Sequence, residues 1–278
     1  RRQTSNLREI CEWPGIDRPR AQRMLNAVYL QAGLIVSRTH PAATNEGWAG
    51  YRPAAGGEAS RDAKEAREAF VFVLYDDVQY TKNDWRNRNR IKTAAGVRWL
   101  TIPVRQVSLD QSILETRVSD ERWRKKHWSS IVQDYARAPH LATYRDRLES
   151  LYLDGGEDRL SFVNERFIRE ICELLGIRTV IRRSEEFALP EGKTERLVAL
   201  CSALGASEYL SGPAARAYLD EAQFEAAGIS VRYADYADYP EYPQLHPPFE
   251  HAVSAIDLLL NVGPEAPRYL KEIGRAHV

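Results

Sequence analysis

Leu160-Ser-Phe-Val-Asn-Glu-Arg-Phe-Ile-Arg-Glu-Ile-Cys-Glu-Leu-Leu175-Gly-Ile-Arg-Thr179-Val-Ile-Arg-Arg183 sets an amphipathic helix directly before a short β-branched strand. Phe162, Phe167, Ile171, Leu174 and Leu175 mark its apolar side, and Gly176 supplies the stop. The alternation continues downstream. Thr194 to Leu204 reads as a second helix closed by Gly205, Tyr209-Leu210 as a strand running into Ser211-Gly212-Pro213, and Gly228-Ile-Ser-Val-Arg-Tyr233 as a last strand. Helices alternating with short apolar strands build βαβ units, so the expected fold is α/β, a mostly parallel sheet flanked by helices.

Upstream, Ala69-Phe-Val-Phe-Val-Leu-Tyr75 is a continuous apolar run of the length of a buried parallel strand, and it ends at Asp76-Asp77. Val97 to Val104 is another strand candidate, with Pro103 marking an edge or an end. Trp123, His127, Ile131 and Tyr135 recur every four residues and draw one stripe along a helix, with Asp120 as its expected N-cap. Residues 1–68 differ. A helix-compatible stretch near Arg18 to Ala32 gives way to sequence without sustained apolar period from Thr39 to Ser60. The expected organisation is an atypical, poorly ordered or non-native segment over 1–68 and an α/β domain over 69–270.

The chain has 278 residues, 39 Lys+Arg against 39 Asp+Glu, and 44% hydrophobic residues. With no 18-residue apolar run, this composition excludes a membrane-spanning helix, a disordered chain and a globally basic nucleic-acid binder. The zero is a cancellation. From Lys82 to Trp128 there are 12 Lys/Arg against 5 Asp/Glu, and from Ala217 to Val278 there are 4 against 10. Cys11, Cys172 and Cys201 fall in no zinc or disulfide spacing and read as reduced thiols. No signal-peptide pattern precedes them, and a cytoplasmic location is expected.

The densest polar and aromatic stretch, Asp76-Asp-Val-Gln-Tyr-Thr-Lys-Asn-Asp-Trp-Arg-Asn-Arg-Asn-Arg-Ile-Lys92, begins where a buried strand ends. Ligands of open α/β sheets sit outside the carboxyl ends of strands, which makes Asp76 and Asp77 candidate acid/base or hydroxyl-binding groups. Gln79, Tyr80, Lys82, Trp85, Arg88, Asn89 and Arg90 are candidate ligand-binding residues, the cations suiting phosphate or carboxylate. A solvated loop whose aspartates are neutralised by neighbouring arginines is the competing reading. In Trp123-Arg-Lys-Lys-His127-Trp, His127 is a catalytic candidate or a satisfied core histidine, and Lys126 extends the positive field. Ser211 and Gly212 sit at a strand-to-helix turn able to face an anion, and Lys193 precedes Thr194, the expected cap of its helix. Asp257 and Asn261, four apart amid leucines, are either satisfied structurally or part of a pocket. No metal motif and no recognised cofactor motif is present.

The same stretches carry a family resemblance. The run from Asp76 to Lys92, Trp99-Leu-Thr-Ile-Pro-Val, Trp123-Arg-Lys-Lys-His127, Ala138-Pro139, Lys193-Thr-Glu, Tyr209-Leu-Ser-Gly-Pro213, Tyr242-Pro-Gln244 and Ile256-Asp-Leu-Leu-Leu-Asn-Val-Gly263 together resemble the WbqC-like protein family from about Ala69 to Leu270. The resemblance implies a bacterial transferase that adds an amino-acid, acyl or amino group, through an amide, to a sugar or carrier-linked intermediate. The setting it implies is biosynthesis of O-antigen lipopolysaccharide, other surface glycans or natural products. One departure is visible. The family opens with a short strand running into a His/Met-Gln-Pro segment and then a Pro-Trp/Tyr-Leu-Gly-Tyr segment, of which this chain keeps His40-Pro41 and Trp48-Ala-Gly50-Tyr51.

The leading expectation is therefore a transferase whose Asp76 and Asp77 orient or deprotonate the acceptor, with His127 as general base or orienting group. Lys82, Arg88, Arg90 and Lys126 would hold an anionic donor, a nucleotide-sugar or a group on a phosphopantetheine carrier protein. The alternative is a non-catalytic binder whose basic aromatic surface docks an acidic partner; nucleic acid is disfavoured by the modest positive excess.

Overall fold

The computed structural model describes residues 33–39, 69–82, 85–234 and 239–270. In chain order the strands are β1 (Gly33–Thr39), β2 (Ala69–Leu74), β3 (Arg88–Thr93), β4 (Gly96–Thr101), β5 (Val104–Arg105), β6 (Arg117–Val118), β7 (Val180–Arg183), β8 (Glu208–Ser211) and β9 (Ser230–Tyr233). The helices are α1 (Trp123–Asp134), α2 (Leu141–Leu153), α3 (Leu160–Leu174), α4 (Thr194–Ala203), α5 (Glu221–Ala226) and α6 (Ala255–Val262). Two compact units divide them. Residues 33–39, 69–78 and 178–234 form a sheet unit, and residues 79–177 and 239–270 a helical unit.

The sheet unit carries five strands in the order β7-β2-β1-β8-β9. β2 pairs in parallel with β7, and β8 with β9, while β1 is antiparallel to both β2 and β8. Four strands thus run one way and the middle one runs back. The α/β class holds, with β2–β7 and β8–β9 as the parallel pairings of this sheet. Packing on the sheet follows from the apolar spacing: Val71 and Val73 alternate along β2 and meet Leu200, Cys201 and Leu204 of the α4 segment and Phe224 of α5 in one buried cluster. Tyr209 stacks flat on Phe224, ring centroids 5.1 Å apart. Burying each such side chain contributes about 1.5–3 kcal/mol.

β1, with its apolar run Leu34-Ile35-Val36, lies within the segment that the sequence reading expects to be poorly ordered. It ends one residue before His40-Pro41, where the resemblance puts an opening strand. The rest of residues 1–68 lies outside the described residues.

In the helical unit β3 and β4 form a hairpin from Arg88↔Thr101 to Thr93↔Gly96. Gly96 turns it at φ +106°, a conformation that favours glycine, and Thr93 Oγ1 accepts from the Ala95 N–H at 3.1 Å. β3 takes up the last part of the stretch Asp76–Lys92, for which a solvated loop is the competing sequence reading. The stripe of Trp123, His127, Ile131 and Tyr135 is buried, as its spacing predicts. Asp120 does not cap α1: the N-cap is Arg122, and Asp120 accepts from the Arg122 N–H instead. α3 buries Leu160, Val163 and Ile168, a face rotated from the one led by Phe162 and Phe167. α6 starts as its sequence suggests, with Ser254 accepting from Ile256 N, and ends at Gly263, φ +59°.

Candidate functional site

Because β2, β7, β8 and β9 run in one direction, their carboxyl ends share one edge of the sheet. Tyr75-Asp76-Asp77 follows β2, Ser184 follows β7, and Ser211-Gly212 closes β8. α4 begins at this edge, because Arg196 in its first turn ion-pairs with Asp77. Asp77 also accepts from Ser184 Oγ at 2.7 Å, and Arg196 Nε donates to the Tyr75 hydroxyl at 2.8 Å. The Arg196 guanidinium lies 5.6 Å from the centre of the Tyr75 ring. Burial raises the Tyr75 phenol above its ordinary value, so it stays a neutral hydroxyl.

The neighbours fix the chemistry open to this edge. A carboxylate bound by Arg196 and Ser184 is held in one orientation, suited to accept a hydrogen bond from an incoming amine or hydroxyl. Asp76, beside it, is 5% exposed. Lys193 is exposed at the N-cap of α4 with no side-chain cap bond, and Ser211 is buried at the end of β8. Thr194 is not the cap; it is buried and its Oγ1 accepts from the Asp220 N–H at 3.3 Å. Asp76, Asp77, Lys193, Ser211 and Gly212 therefore lie along one sheet edge, with β1 between β2 and β8. Tyr75, Ser184 and Arg196 were missed by sequence reasoning; Arg196 was within reach of it, one helical turn after Lys193.

The other candidates lie in the helical unit, where most have structural partners. Asp257, on α6, is 1% exposed. Its Oδ1 accepts from the Tyr135 hydroxyl at 2.6 Å, and its Oδ2 from the Tyr242 hydroxyl at 2.7 Å and Gln244 Nε2 at 2.9 Å. Tyr135 in turn accepts from the Lys92 N–H at 3.0 Å, and Lys92 Nζ donates to the Pro248 carbonyl at 2.6 Å. Burial raises the Asp257 carboxyl, against the lowering by these donors and by Lys92. Asn261 Oδ1 accepts from Leu245 N at 2.9 Å, and its Nδ2 donates to the Asp257 carbonyl at 2.7 Å. Of the two readings of Asp257 and Asn261, the structure supports the satisfied one: together they tether residues 242–250 to α6.

His127 is 8% exposed, its ring against Trp123 and Tyr152 at 5.0 and 6.2 Å, with Nε2 3.1 Å from the Thr101 carbonyl. Burial lowers its pKa to about 4, so at neutral pH Nε2 carries the proton it donates and the ring braces α1 against β4. Tyr80 is buried, and Trp85 is buried with its ring 4.9 Å from that of Trp99. Arg88 lies over Trp99 at 4.3 Å, and Arg90 donates to the Ala252 carbonyl at 2.7 Å. Asn89 Oδ1 accepts from the Arg90 N–H at 2.7 Å. Gln79 is exposed and donates to the Leu109 carbonyl at 2.5 Å. Lys82 and Lys126 are exposed.

Among the described residues no group of three or more His, Cys, Asp or Glu is placed to hold a metal ion, and no helix is long and apolar enough to cross a membrane. Burial raises the Cys201 thiol to about 12, which makes it an inert core residue.

Comparison with known proteins adds relationship rather than chemistry. A protein of Mycobacterium tuberculosis (strain ATCC 25618 / H37Rv), described as "Uncharacterized protein Rv1507c", is 48% identical over 206 residues, covering 73% of this chain and 89% of that protein. No solved structure matches the chain. The pattern of the WbqC-like protein family matches residues 64–269, a span that takes in the paired aspartates, the β3–β4 hairpin, the start of α4 and the Asp257 network. The chain belongs to the WbqC-like protein family.

Proposed function

We propose that the chain is a cytoplasmic biosynthetic transferase acting at the carboxyl edge of its sheet unit. It transfers an amino-acid, acyl or amino group to a sugar or carrier-linked intermediate of surface glycan or natural-product synthesis. The observation that carries the reading is Asp77, fixed by Arg196 and Ser184 next to Asp76 at an edge where Ser211-Gly212 and Lys193 also emerge. That edge is where α/β sheets take ligands. Asp77 orients the acceptor amine or hydroxyl. Asp76 takes its proton as the acceptor atom bonds the acyl carbon, and returns that proton to the donor's leaving group as its bond to the acyl carbon breaks. Lys193 attracts the anionic part of the donor.

The test supplies purified protein with a UDP-hexuronic acid or an aminoacyl carrier protein and follows product by mass spectrometry. Asp76→Asn/Asp77→Asn is expected to lower turnover by at least about a hundredfold while keeping its melting profile. Full turnover by a folded double variant would sink the acid roles.

A second reading, non-catalytic binding of an acidic partner, rests on Trp99, which is 39% exposed beside Arg88 and Arg90 on the β3–β4 hairpin. It requires affinity for single-stranded RNA that falls steeply between low and moderate salt; no binding at low salt eliminates it.

A further inference from the structure

The loop between α2 and α3, Asp154-Gly-Gly-Glu-Asp158, packs against Arg124 of α1. Arg124 of α1 is buried, its side chain 6% exposed. Its Nε bonds Glu121 at 2.8 Å and its Nη2 donates to the Glu157 carbonyl at 2.9 Å, yet its Nη1, sealed from solvent, has no hydrogen-bond partner. Arg166, one and a half turns into α3, brings a second guanidinium to the same place. Its Nη2 donates to the Ser150 carbonyl at 2.8 Å. A methyl group at Gly155 would meet Nη1 of both arginines and Oε2 of Glu157, so alanine there would push these side-chain ends aside.

One carboxylate serves both. Glu157 Oε2 stands 3.6 Å from Arg124 Nη2 and 3.4 Å from Arg166 Nη1, beyond the 2.7–2.9 Å of a good charge-assisted bond. Its side chain is 29% exposed. Leaving a buried guanidinium N–H without an acceptor is costly, and a monoanion at these distances leaves it so. Arg166 also lines a cleft of about 350 Å³ between α2 and α3, together with Asp146, Arg147, Ser150, Leu151 and Glu170.

We propose that Arg124, Arg166 and the Gly155 turn form a binding site for a phosphoryl group, in which Glu157 is the internal stand-in that the ligand displaces. A phosphoryl dianion offers three oxygens and twice the charge of Glu157. It satisfies Arg124 Nη1, which Glu157 leaves without a partner, together with Arg166 Nη1, which now donates to Glu157 at 3.4 Å. The α2–α3 cleft receives whatever the phosphoryl group is attached to. The site goes beyond the transferase reading and belongs to the other unit.

The experiment uses the full chain and two probes, inorganic phosphate and glycerol 3-phosphate, against potassium chloride at matched ionic strength. Binding is read by calorimetry and by thermal melting. Glu157→Gln removes the stand-in charge and is expected to bind phosphate roughly tenfold more tightly than the unaltered chain, with a larger rise in melting temperature. Gly155→Ala, which pushes the guanidinium groups apart, is expected to abolish the phosphate effect while the chain stays folded. Tighter binding of glycerol 3-phosphate than of phosphate assigns the organic part to the cleft, and equal binding assigns a free phosphate. If Glu157→Gln melts lower and phosphate stabilises it no more than chloride does, the cluster is a structural clasp and the proposal is overturned.

Discussion

At the scale of single residues, two buried groups make opposite use of desolvation. His127 has its folded pKa depressed from 6.5 to about 4. Below pH 6.5 the unfolded histidine takes a proton that the folded one refuses, so stability is lost as pH falls through this window, by roughly 3 kcal/mol in all. His127→Gln keeps a donor for the Thr101 carbonyl and has nothing to protonate. Its unfolding free energy, followed by urea titration from pH 7 to pH 4, is therefore expected to fall less steeply than that of the unaltered chain by about this amount. An identical slope would refute the assignment. Tyr135, by contrast, both donates to Asp257 and accepts from the Lys92 N–H. Tyr135→Phe strands both partners in the core and is expected to cost about 2–4 kcal/mol by chemical denaturation. The sequence made His127 and Asp257 visible because polar side chains stood on apolar stripes. It did not make their partners visible, since Thr101 offers only a backbone carbonyl and Tyr242 and Gln244 come from a segment with no helix or strand of its own.

At the scale of elements, legibility followed periodicity. α4, β7, β8, β9 and α6 obey their local sequence, with Gly205 and Gly263 standing where helices end. β3 does not, because Arg-Asn-Arg-Ile-Lys-Thr has the composition of a loop. Its cations are spent on aromatic rings and backbone carbonyls, Arg88 on Trp99, Arg90 on Ala252 and Lys92 on Pro248, and only the partner strand reveals this. On α3 a one-position rotation moved the buried face, since adjacent apolar residues satisfy a helical period equally well before a neighbour is chosen. The end of α6 carries its own prediction. Gly263 combines φ +59° with ψ −129°, and a methyl there would overlap the His140 ring. Gly263→Ala is expected to lower the unfolding free energy by more than about 1 kcal/mol, whereas Gly212→Ala, with open space around it and φ −70°, is expected to change it little. Equal melting temperatures for the two variants would contradict the strain at Gly263.

At the scale of the molecule, the candidate site depends on a strand that the sequence hides. The acids, the Ser211-Gly212 turn and the start of α4 share an edge because β1 joins β2 to β8. A chain lacking residues 1–39 leaves β7-β2 and β8-β9 as separate pairs, and two-stranded pieces are marginal alone. Hydrogen exchange is expected to show loss of amide protection over 71–74 and 208–211 in that truncated chain. Protection equal to that of the full chain would show that the middle strand is dispensable. The zero net charge takes on meaning at this scale too: the basic run from Lys82 to Trp128 belongs to the helical unit, and part of the acidic C-terminal quarter returns to that unit to neutralise it, as Glu250 does beside Arg90.

The reversed middle strand also sets a schedule. During synthesis β1 leaves the ribosome before its partner strands, and β2 is the first of the two to pair with it. The partner for its other side, β8, emerges only after the whole run of helices α1 to α4. Between the emergence of β2 and that of β8 this nascent pair therefore presents a bare edge, the geometry that recruits stray strands from neighbouring chains. Slow elongation or high expression lengthens that interval. The yield of soluble chain should then be governed by how fast β8 arrives as much as by how stable the finished sheet is.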